Sequence, residues 1–170
     1  YASDKAYRFD PNTDQLVETG SMNYARFDHR SVTLSSGEVL VTGGFNEDGL
    51  PIDSIDIYTP GTDLWATKTQ GVSSGSVFHS MARYGTEGTL ICGGLTAGDI
   101  PQYSDQCTLV RNTHEIETTR PMENALLFTD LITLSDGRVL RTGGLDATGL
   151  EHTTFRPENI RSTSTAAIFE

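Results

Sequence analysis

The amino-acid sequence predicts an all-β protein made of repeated antiparallel hairpins. Thr, Ser and Gly are abundant, apolar runs are short and strong helix formers do not dominate, which is typical of strands joined by tight turns. An apolar run that ends in Gly-Gly at 40–44 returns at 90–94 and again at 140–144, a constant step of 50 residues. A fixed period of this size indicates one structural unit repeated along the chain.

Each copy of the repeat reads as a strand, a tight turn and a second strand. Residues 29–44, 79–94 and 129–144 align without a gap. Ser-Gly at 36–37 and Asp-Gly at 136–137 mark the turn, where glycine adopts a positive φ at little cost. The Gly-Gly pair ends the second strand and predicts a hard bend with close approach of a neighbouring strand.

A second type of hairpin alternates with the first. It is read at 7–19, 54–69 and 107–119, with Pro, Gly, Asn and Asp in its turns. In the middle copy Tyr58 and Trp65 flank the turn. The unit is therefore four short antiparallel strands, and because one such sheet cannot bury both of its faces alone, radial packing of repeated sheets is expected.

With these features the chain resembles kelch-repeat β-propellers. The resemblance covers nearly the whole chain and rests on Gly43-Gly44, Gly93-Gly94 and Gly143-Gly144, on Arg26-x-x-His29, and on Tyr58 with Trp65. It implies a kelch-type β-propeller segment of four-stranded antiparallel blades, about three blades of a larger ring. In such a blade the strand that opens at His29 is innermost and is called A, and strands B, C and D follow outward. The glycine pairs are then structural repeat residues, and Tyr58 and Trp65 pack between blades.

The order of strands predicts a single propeller domain that the chain spans in part. Residues 1–20 supply strands C and D of a first blade, 21–70 a second blade, 71–120 a third, and 121–170 strands A to C of a fourth. Because propellers close with roughly 4–8 blades, further blades from the same longer chain or from another copy are expected as partners. The lack of an initial Met and the unpaired last C strand agree with an excised piece that exposes apolar strand edges.

Charge and composition exclude several classes of partner. The formal net charge is −11 and no basic patch is visible, so nucleic acid and anionic membrane are poor candidates. No apolar run approaches the roughly 20 residues of a membrane span. The two cysteines form no C-x-x-C pair and no calcium-loop motif occurs, so neither a metal nor a cofactor is expected. The sequence indicates no cellular compartment.

The two cysteines are expected to face each other across neighbouring strands. If the connecting loop spans 95–104, residue 94 lies opposite 105, and Cys92 therefore lies opposite Cys107. Directly opposed Cβ atoms are about 4.5–5.5 Å apart, whereas a disulfide prefers about 3.8 Å. A small buried thiol also satisfies such a position. We therefore expect two free, buried thiols; a bridge is the alternative, and it would favour a secreted or surface protein.

The connections that leave one face of the predicted blades form the candidate recognition surface. They are the D–A segments 20–28, 70–78 and 121–128 and the B–C loops 45–54, 95–104 and 145–165. The last of these loops is the longest, and long loops on a rigid scaffold tend to be functional. His152, Phe155 and Arg156 give this loop aromatic and cationic contact chemistry. The B–C loops are acidic, which could attract a basic segment or Ca²⁺ or could serve solubility alone.

Candidate ligand-binding residues also occur inside the repeat. His29 and His79 take equivalent places at the start of inner strands, where they could line a central channel or hold blades together. Arg26 could bind a ligand carboxylate or hydrogen-bond loop carbonyls. The candidate set on the loop face is Arg26, His29, His79, His152, Phe155 and Arg156.

These observations predict a non-catalytic recognition module that binds a protein or carbohydrate ligand through the loop face. One alternative is the scaffold part of a larger propeller enzyme, copper radical oxidase-like or a hydrolase, with active residues outside this segment. Another is a structural or adhesin domain of an extracellular or viral assembly. No G-x-S-x-G motif, zinc motif or Tyr–Cys and His–His constellation can be read, so no catalytic residue is expected.

Overall fold

The computed structural model describes residues 1–68, 72, 76–98, 102–148, 161–162 and 166–169. These residues form sixteen β-strands and no helix. In the part of the chain so described, nothing helical is therefore available to cross a membrane. The all-β class predicted from the sequence is confirmed.

Two complete sheets have four antiparallel strands each, and consecutive strands are spatial neighbours. The first complete sheet consists of β3 (Arg30–Thr33), β4 (Val39–Thr42), β5 (Ile55–Thr59) and β6 (Leu64–Lys68). The second consists of β7 (Ser80–Tyr84), β8 (Gly88–Cys92), β9 (Cys107–Arg111) and β10 (Ile116–Thr118). These are the four-stranded antiparallel blades expected from the period.

Shorter sheets stand at both ends of the chain. Strands β1 (Tyr7–Asp10) and β2 (Gln15–Glu18) form a two-stranded hairpin. Strands β12 (Asp130–Thr133), β13 (Val139–Thr142) and β16 (Ala166–Phe169) form a three-stranded sheet in that order. Large apolar side chains are exposed on both, among them Phe9, Leu16 and Ile168.

The three repeated hairpins share one register. The first pair of each hairpin falls at the same place in the repeat: Arg30 opposite Thr42, Ser80 opposite Cys92, and Asp130 opposite Thr142. The sequence alignment of 29–44, 79–94 and 129–144 therefore describes equivalent backbone positions. Between sheets, β3 contacts β7 and β7 contacts β12. The first strand of each sheet is thus the inner one, as a radial arrangement requires.

The apolar side chains of neighbouring sheets meet in two cores. One lies between the complete sheets and contains Leu34, Leu40, Ile55, Ile57, Val72, Ile91 and Val110. The other lies between the second complete sheet and the three-stranded one and contains Ala82, Leu90, Cys92, Cys107, Met122, Leu126, Leu131 and Val139. The second complete sheet therefore buries both of its faces against its neighbours, which is how repeat architectures acquire a continuous core.

The Gly-Gly pair is where two backbones touch. Gly43 has φ +68°, and a Cβ there would collide with the Ser76 carbonyl of the segment that enters the next inner strand. The amide of Gly44 donates to that same carbonyl at 2.9 Å. A Cβ on Gly44 would lie 2.5 Å from the Phe27 carbonyl of its own sheet. In the next copy the Gly94 amide donates in the same way to the Leu126 carbonyl at 2.8 Å.

A small sheet at one end of each unit was missed by the sequence analysis. In the last unit β11 (Leu126–Leu127), β14 (Leu145–Asp146) and β15 (Arg161–Ser162) form three short strands. Isolated bridges take the same places in the earlier units: Phe27 with Phe45 and Phe45 with Pro51, then Val77 with Leu95 and Leu95 with Tyr103. These pairings are too short for a strand pattern to reveal. They tie each D–A segment to the B–C loop of its own unit.

The expectation of free thiols is wrong. Cys92 lies opposite Cys107, as predicted, but the two form a disulfide. Their Cα atoms are 4.2 Å apart, the close spacing of a pair that exchanges no backbone hydrogen bonds. The Gly93 amide donates to the Gln106 carbonyl, the hydrogen bond that flanks such a pair. At this closer spacing the two side chains can form a bridge, whereas at the average cross-strand distance they could not.

The disulfide predicts a thiol count and a stability difference. The native chain should show no reactive thiol in denaturant without reductant, and two after reduction. Closing a loop with a sequence separation of 15 should contribute about 3 kcal/mol in the chain-entropy account. Reductant should therefore lower the urea midpoint of the native chain and leave the C92A/C107A variant unchanged. Two reactive thiols in the unreduced chain would contradict the bridge.

The glycine contact predicts a difference between equivalent positions. Gly43 and Gly143 both have a positive φ, +68° and +59°, but Gly143 has no described atom within 4 Å of its Cβ position. The variants G43A and G143A therefore share the conformational cost of φ, and only G43A also displaces the Ser76 carbonyl. We expect G43A to lose about 2 kcal/mol more of the free energy of unfolding than G143A, as overpacking does, in parallel urea titrations. Equal losses would refute the close contact.

Candidate recognition surface

The D–A segments and B–C loops lie together at one end of the sheets. Backbone bridges join Phe27 to Phe45 and Val77 to Leu95, and β11 pairs with β14 in the same place. We call this surface the loop face and define it by the described residues 20–28, 45–54, 76–78, 95–98, 102–104, 121–128 and 145–148.

Four phenylalanine rings form a continuous row on the loop face. The ring centroids of Phe27 and Phe45 are 5.4 Å apart, those of Phe45 and Phe78 are 5.7 Å apart, and those of Phe78 and Phe128 are 4.6 Å apart. The row, which we call the phenylalanine ladder, crosses from the first complete sheet to the three-stranded one. Phe27 is 45% exposed and Phe128 47%. The ladder thus presents aromatic surface to solvent.

The backbone holds the ladder in an unusual conformation. Asp28, Phe78 and Phe128 take the same place in the repeat, two residues before an inner strand, and have φ of 56°, 58° and 53°. A positive φ is uncommon for any residue except glycine, and Asn and Asp tolerate it better than bulky residues. Two phenylalanines therefore occupy positions where the fold itself prefers a smaller polar residue. Strain of this kind recurs at functional sites.

The exposed charges of the loop face are all negative. Asp28, Glu47, Asp48, Asp53 and Glu123 are exposed carboxylates on this face. Among the loop-face residues whose side chains the structure describes, Arg26 is the one cation, and its guanidinium is buried. Asp28 lies 3.7 Å from Arg30 at the start of β3, whereas the other four form no ion pair with a described residue. The face is therefore an acidic surface crossed by an aromatic row.

The first B–C loop is a turn held by Asn46. Its side-chain oxygen accepts hydrogen bonds from the amides of Asp48 at 3.0 Å and Leu50 at 2.8 Å. The Asn46 amide also donates to the Leu50 carbonyl at 2.9 Å. This fixes the turn beside Phe45 and leaves Leu50 60% exposed at its tip.

Arg26 lies under the loop face in a buried network. Its Nη2 is 3.1 Å from Asp56 Oδ2, and both side chains are 0% exposed. Nη1 donates to the Gly43 carbonyl at 2.8 Å, and Nη2 donates to Ser54 Oγ at 3.0 Å. Burial lowers the pKa of the Arg26 guanidinium, and the Asp56 carboxylate opposes that shift. The arrangement ties the D–A segment to the end of β4 and the start of β5, with the charge directed into the sheet.

His79 lies between two sheets. It is 1% exposed, and its Cε1 borders the space that a Cβ on Gly43 would occupy. Burial lowers the pKa of His79 to about 3, the charge of Arg30 adds to the shift, and the Ser76 backbone opposes it. The ring is therefore neutral at physiological pH and fills the contact between inner strands.

His29 takes the equivalent place one unit earlier and is half-buried. Desolvation lowers its pKa, the charges of Arg26 and Arg30 act in the same direction, and Asp28 opposes them.

Tyr58 and Trp65 face each other across β5 and β6, with ring centroids 5.1 Å apart. The Tyr58 hydroxyl donates to Asp63 Oδ1 at 2.6 Å, and Trp65 Nε1 donates to the Gly20 carbonyl at 2.6 Å. Gly20 follows the first hairpin, so the second contact links neighbouring sheets.

Three of the predicted site residues, His152, Phe155 and Arg156, lie outside the described residues, so their role stays a prediction from sequence. Within the described residues, no group of three or more His, Cys, Asp or Glu side chains could hold a metal ion.

Sequence reasoning missed the phenylalanine ladder. The signal was present, because Phe78 and Phe128 are one period apart and Phe27 precedes the corresponding Asp28. Phe45 joins the row only through its bridge to Phe27, and a short pairing of this kind leaves no periodic trace. Aromatic residues at a repeat position are also expected to be core residues first.

Comparison with known proteins finds similarity to kelch proteins. The chain is 30% identical over 145 residues to "Kelch-like protein 36" of Bos taurus, an alignment that covers 85% of the chain and 23% of that protein. The proteins of the same name from Rattus norvegicus and Mus musculus match over the same lengths at 30% identity. The chain thus spans 23% of the length of these relatives. No family model matches it. Its all-β architecture is that of a kelch-type β-propeller segment.

The buried histidine predicts a pH dependence of stability. Unfolded His79 binds a proton near pH 6.5, whereas the folded chain resists protonation down to about pH 3. Stability is therefore complete above pH 6.5 and is lost as the pH falls towards 3. Linkage gives a loss of about 2 kcal/mol between pH 7.5 and pH 5 from this residue. Urea unfolding at several pH values should show the loss reduced in H79F and retained in H114Q, where the histidine removed is partly exposed. An unchanged slope in H79F would contradict the assignment.

Proposed function

We propose that this kelch-type β-propeller segment is a non-catalytic recognition module that binds a protein partner at its loop face. The observation that carries the proposal is the combination of an aromatic row whose two end rings are exposed with four exposed carboxylates that form no ion pair with a described residue. Aromatic residues are enriched at protein interfaces, and exposed apolar surface rimmed by polar groups marks interaction sites. Similarity to kelch-like proteins supports a repeat module of this kind.

The opposite end of the sheets differs from the loop face. We call it the turn face; it carries the A–B and C–D turns, residues 34–38, 59–63, 84–88, 111–115 and 134–138. There Arg111 pairs with Glu87 and Glu117, Arg138 with Asp136, and His114 with Glu38. Both arginines of this face are therefore engaged by carboxylates, and with five carboxylates against two arginines the face is itself net negative. What distinguishes the loop face is the aromatic row beside its carboxylates, and this supports the loop face as the binding surface.

The alternative functions differ in what supports them. The oxidase or hydrolase alternative places the active residues outside this segment, and Cys92 and Cys107, which are bridged to each other, would not supply them. A carbohydrate could stack on exposed phenylalanine rings, but the excess of carboxylates does not favour a neutral sugar over a protein. The disulfide is compatible with a role in an oxidising compartment, which an extracellular structural or adhesin domain would also share.

The test uses peptides selected from a random display library against the immobilised chain. Two exposed leucines provide matched variants, because Leu50 (60% exposed) is on the loop face and Leu64 (66% exposed) borders the turn face. Selected peptides should bind L50A at least about fivefold more weakly than the native chain, since a buried interface leucine contributes about 1 kcal/mol or more. They should bind L64A as tightly as the native chain in fluorescence polarisation. Loss of binding with L64A and not with L50A would place recognition on the turn face and refute the proposal.

A further inference from the structure

We infer that the phenylalanine ladder (Phe27, Phe45, Phe78 and Phe128) is the docking site for a basic peptide segment, whose Lys or Arg side chains lie over the rings. The inference rests on the proposed function and specifies the chemistry of the partner. Three features of the described residues carry it: the geometry of the row, the sign of the charges around it, and the backbone conformation that presents it.

The geometry of the ladder suits an extended chain. Successive centroids are 5.4, 5.7 and 4.6 Å apart. Side chains on one side of an extended strand repeat about every 7 Å, and each residue advances about 3.3 Å. Measured from ring to ring, the row is as long as roughly five extended residues, which leaves room for two or three side chains on one side of such a chain.

The charges around the ladder select a cation. Asp28 follows Phe27 directly, and Glu47 and Asp48 are two and three residues beyond Phe45 in the turn that Asn46 holds. The face of a phenylalanine ring attracts a cation through its quadrupole, and nearby carboxylates add to that attraction. Among the loop-face residues whose side chains the structure describes, the one cation is Arg26, which is buried against Asp56. Asp28 is 3.7 Å from Arg30, whereas Glu47 and Asp48 form no ion pair with a described residue. An acidic peptide gains from neither feature, a neutral apolar peptide gains only contact with the rings, and a basic peptide gains from both.

The backbone shows that the rings are not required by the fold at their own positions. Asp28 occupies the same left-handed conformation as Phe78 and Phe128, so a short polar residue satisfies the position. Phenylalanine is strained in this conformation. The Phe128 ring is 47% exposed, and the Phe78 ring is half-buried between Phe45 and Phe128. The same equivalence supplies a test variant, because Asn, like Asp, tolerates this conformation.

The experiment measures binding of two fluorescein-labelled peptides to the full chain by polarisation. One is a nonapeptide of alternating Gly and Arg, and the other has citrulline in place of every Arg. We expect the Arg peptide to bind at least about tenfold more tightly than the citrulline peptide at low salt. The F78N/F128N variant keeps the net charge and should bind the Arg peptide at least about fivefold more weakly than the native chain, as loss of exposed cation–π contacts requires. F128N alone provides the test if the double variant does not fold.

The control separates the ladder from the general negative charge. Asp136 is on the turn face and D136N removes one carboxylate there, so this variant should bind the Arg peptide as the native chain does, to within about twofold. Equal binding of both peptides, or full affinity in F78N/F128N, would overturn the inference. Binding of a neutral oligosaccharide, cellohexaose, that depends on the ladder in place of the Arg peptide would also overturn it.

The experiments distinguish failure of the basic-peptide inference from failure of the proposed function. Library peptides that depend on Leu50 but contain no excess of Lys or Arg would leave recognition at the loop face intact and refute the basic partner. If no peptide distinguishes L50A from L64A, the proposed function itself fails.

Discussion

The glycine pair at the end of each second strand is the constraint on which the rest of the structure depends. Sheets can pack radially only if their inner strands approach closely, and at Gly43 the approach is between backbones, with the Ser76 carbonyl in the place of a side chain. The Gly44 amide converts that approach into a hydrogen bond of 2.9 Å. Because the contact involves no side chain beyond hydrogen, it takes the same form at Gly43-Gly44 and at Gly93-Gly94, where the Gly94 amide donates to the Leu126 carbonyl.

The sequence predicts those parts of the fold that are fixed by local features of the chain. The hairpins, their common register and the order of strands follow from turn glycines and apolar runs, whose physical causes are local. The small sheet of β11, β14 and β15 and the bridges equivalent to it involve one or two residues each, too few for a periodic signal. Whether Cys92 and Cys107 can form a disulfide depends on whether they are a hydrogen-bonded or a non-hydrogen-bonded cross-strand pair, because the Cα atoms are closer in the second kind. The sequence does not distinguish the two kinds.

The candidate site was predicted less well than the fold, and for a physical reason. Charged and titratable residues within a repeat attract functional interpretations, yet His79 is 1% exposed and the Arg26 guanidinium is engaged by Asp56. Both stabilise contacts among the inner strands and the loops above them. The exposed aromatic rings belong to positions that a repeat pattern would assign to the core. Only the placement of Phe45 beside Phe27 and Phe78 shows that these rings meet on a surface.

The same constraint also separates the scaffold from the recognition surface. Close contact at the glycine pairs fixes the backbone that enters each inner strand, including the left-handed residue two positions before it. Asp28, Phe78 and Phe128 are accommodated at that residue in the same conformation. Its chemistry can therefore differ from unit to unit without disturbing the packing between sheets. A ring of equivalent positions with independent side chains is a natural basis for a binding face, because affinity and specificity can change while the glycine contacts remain.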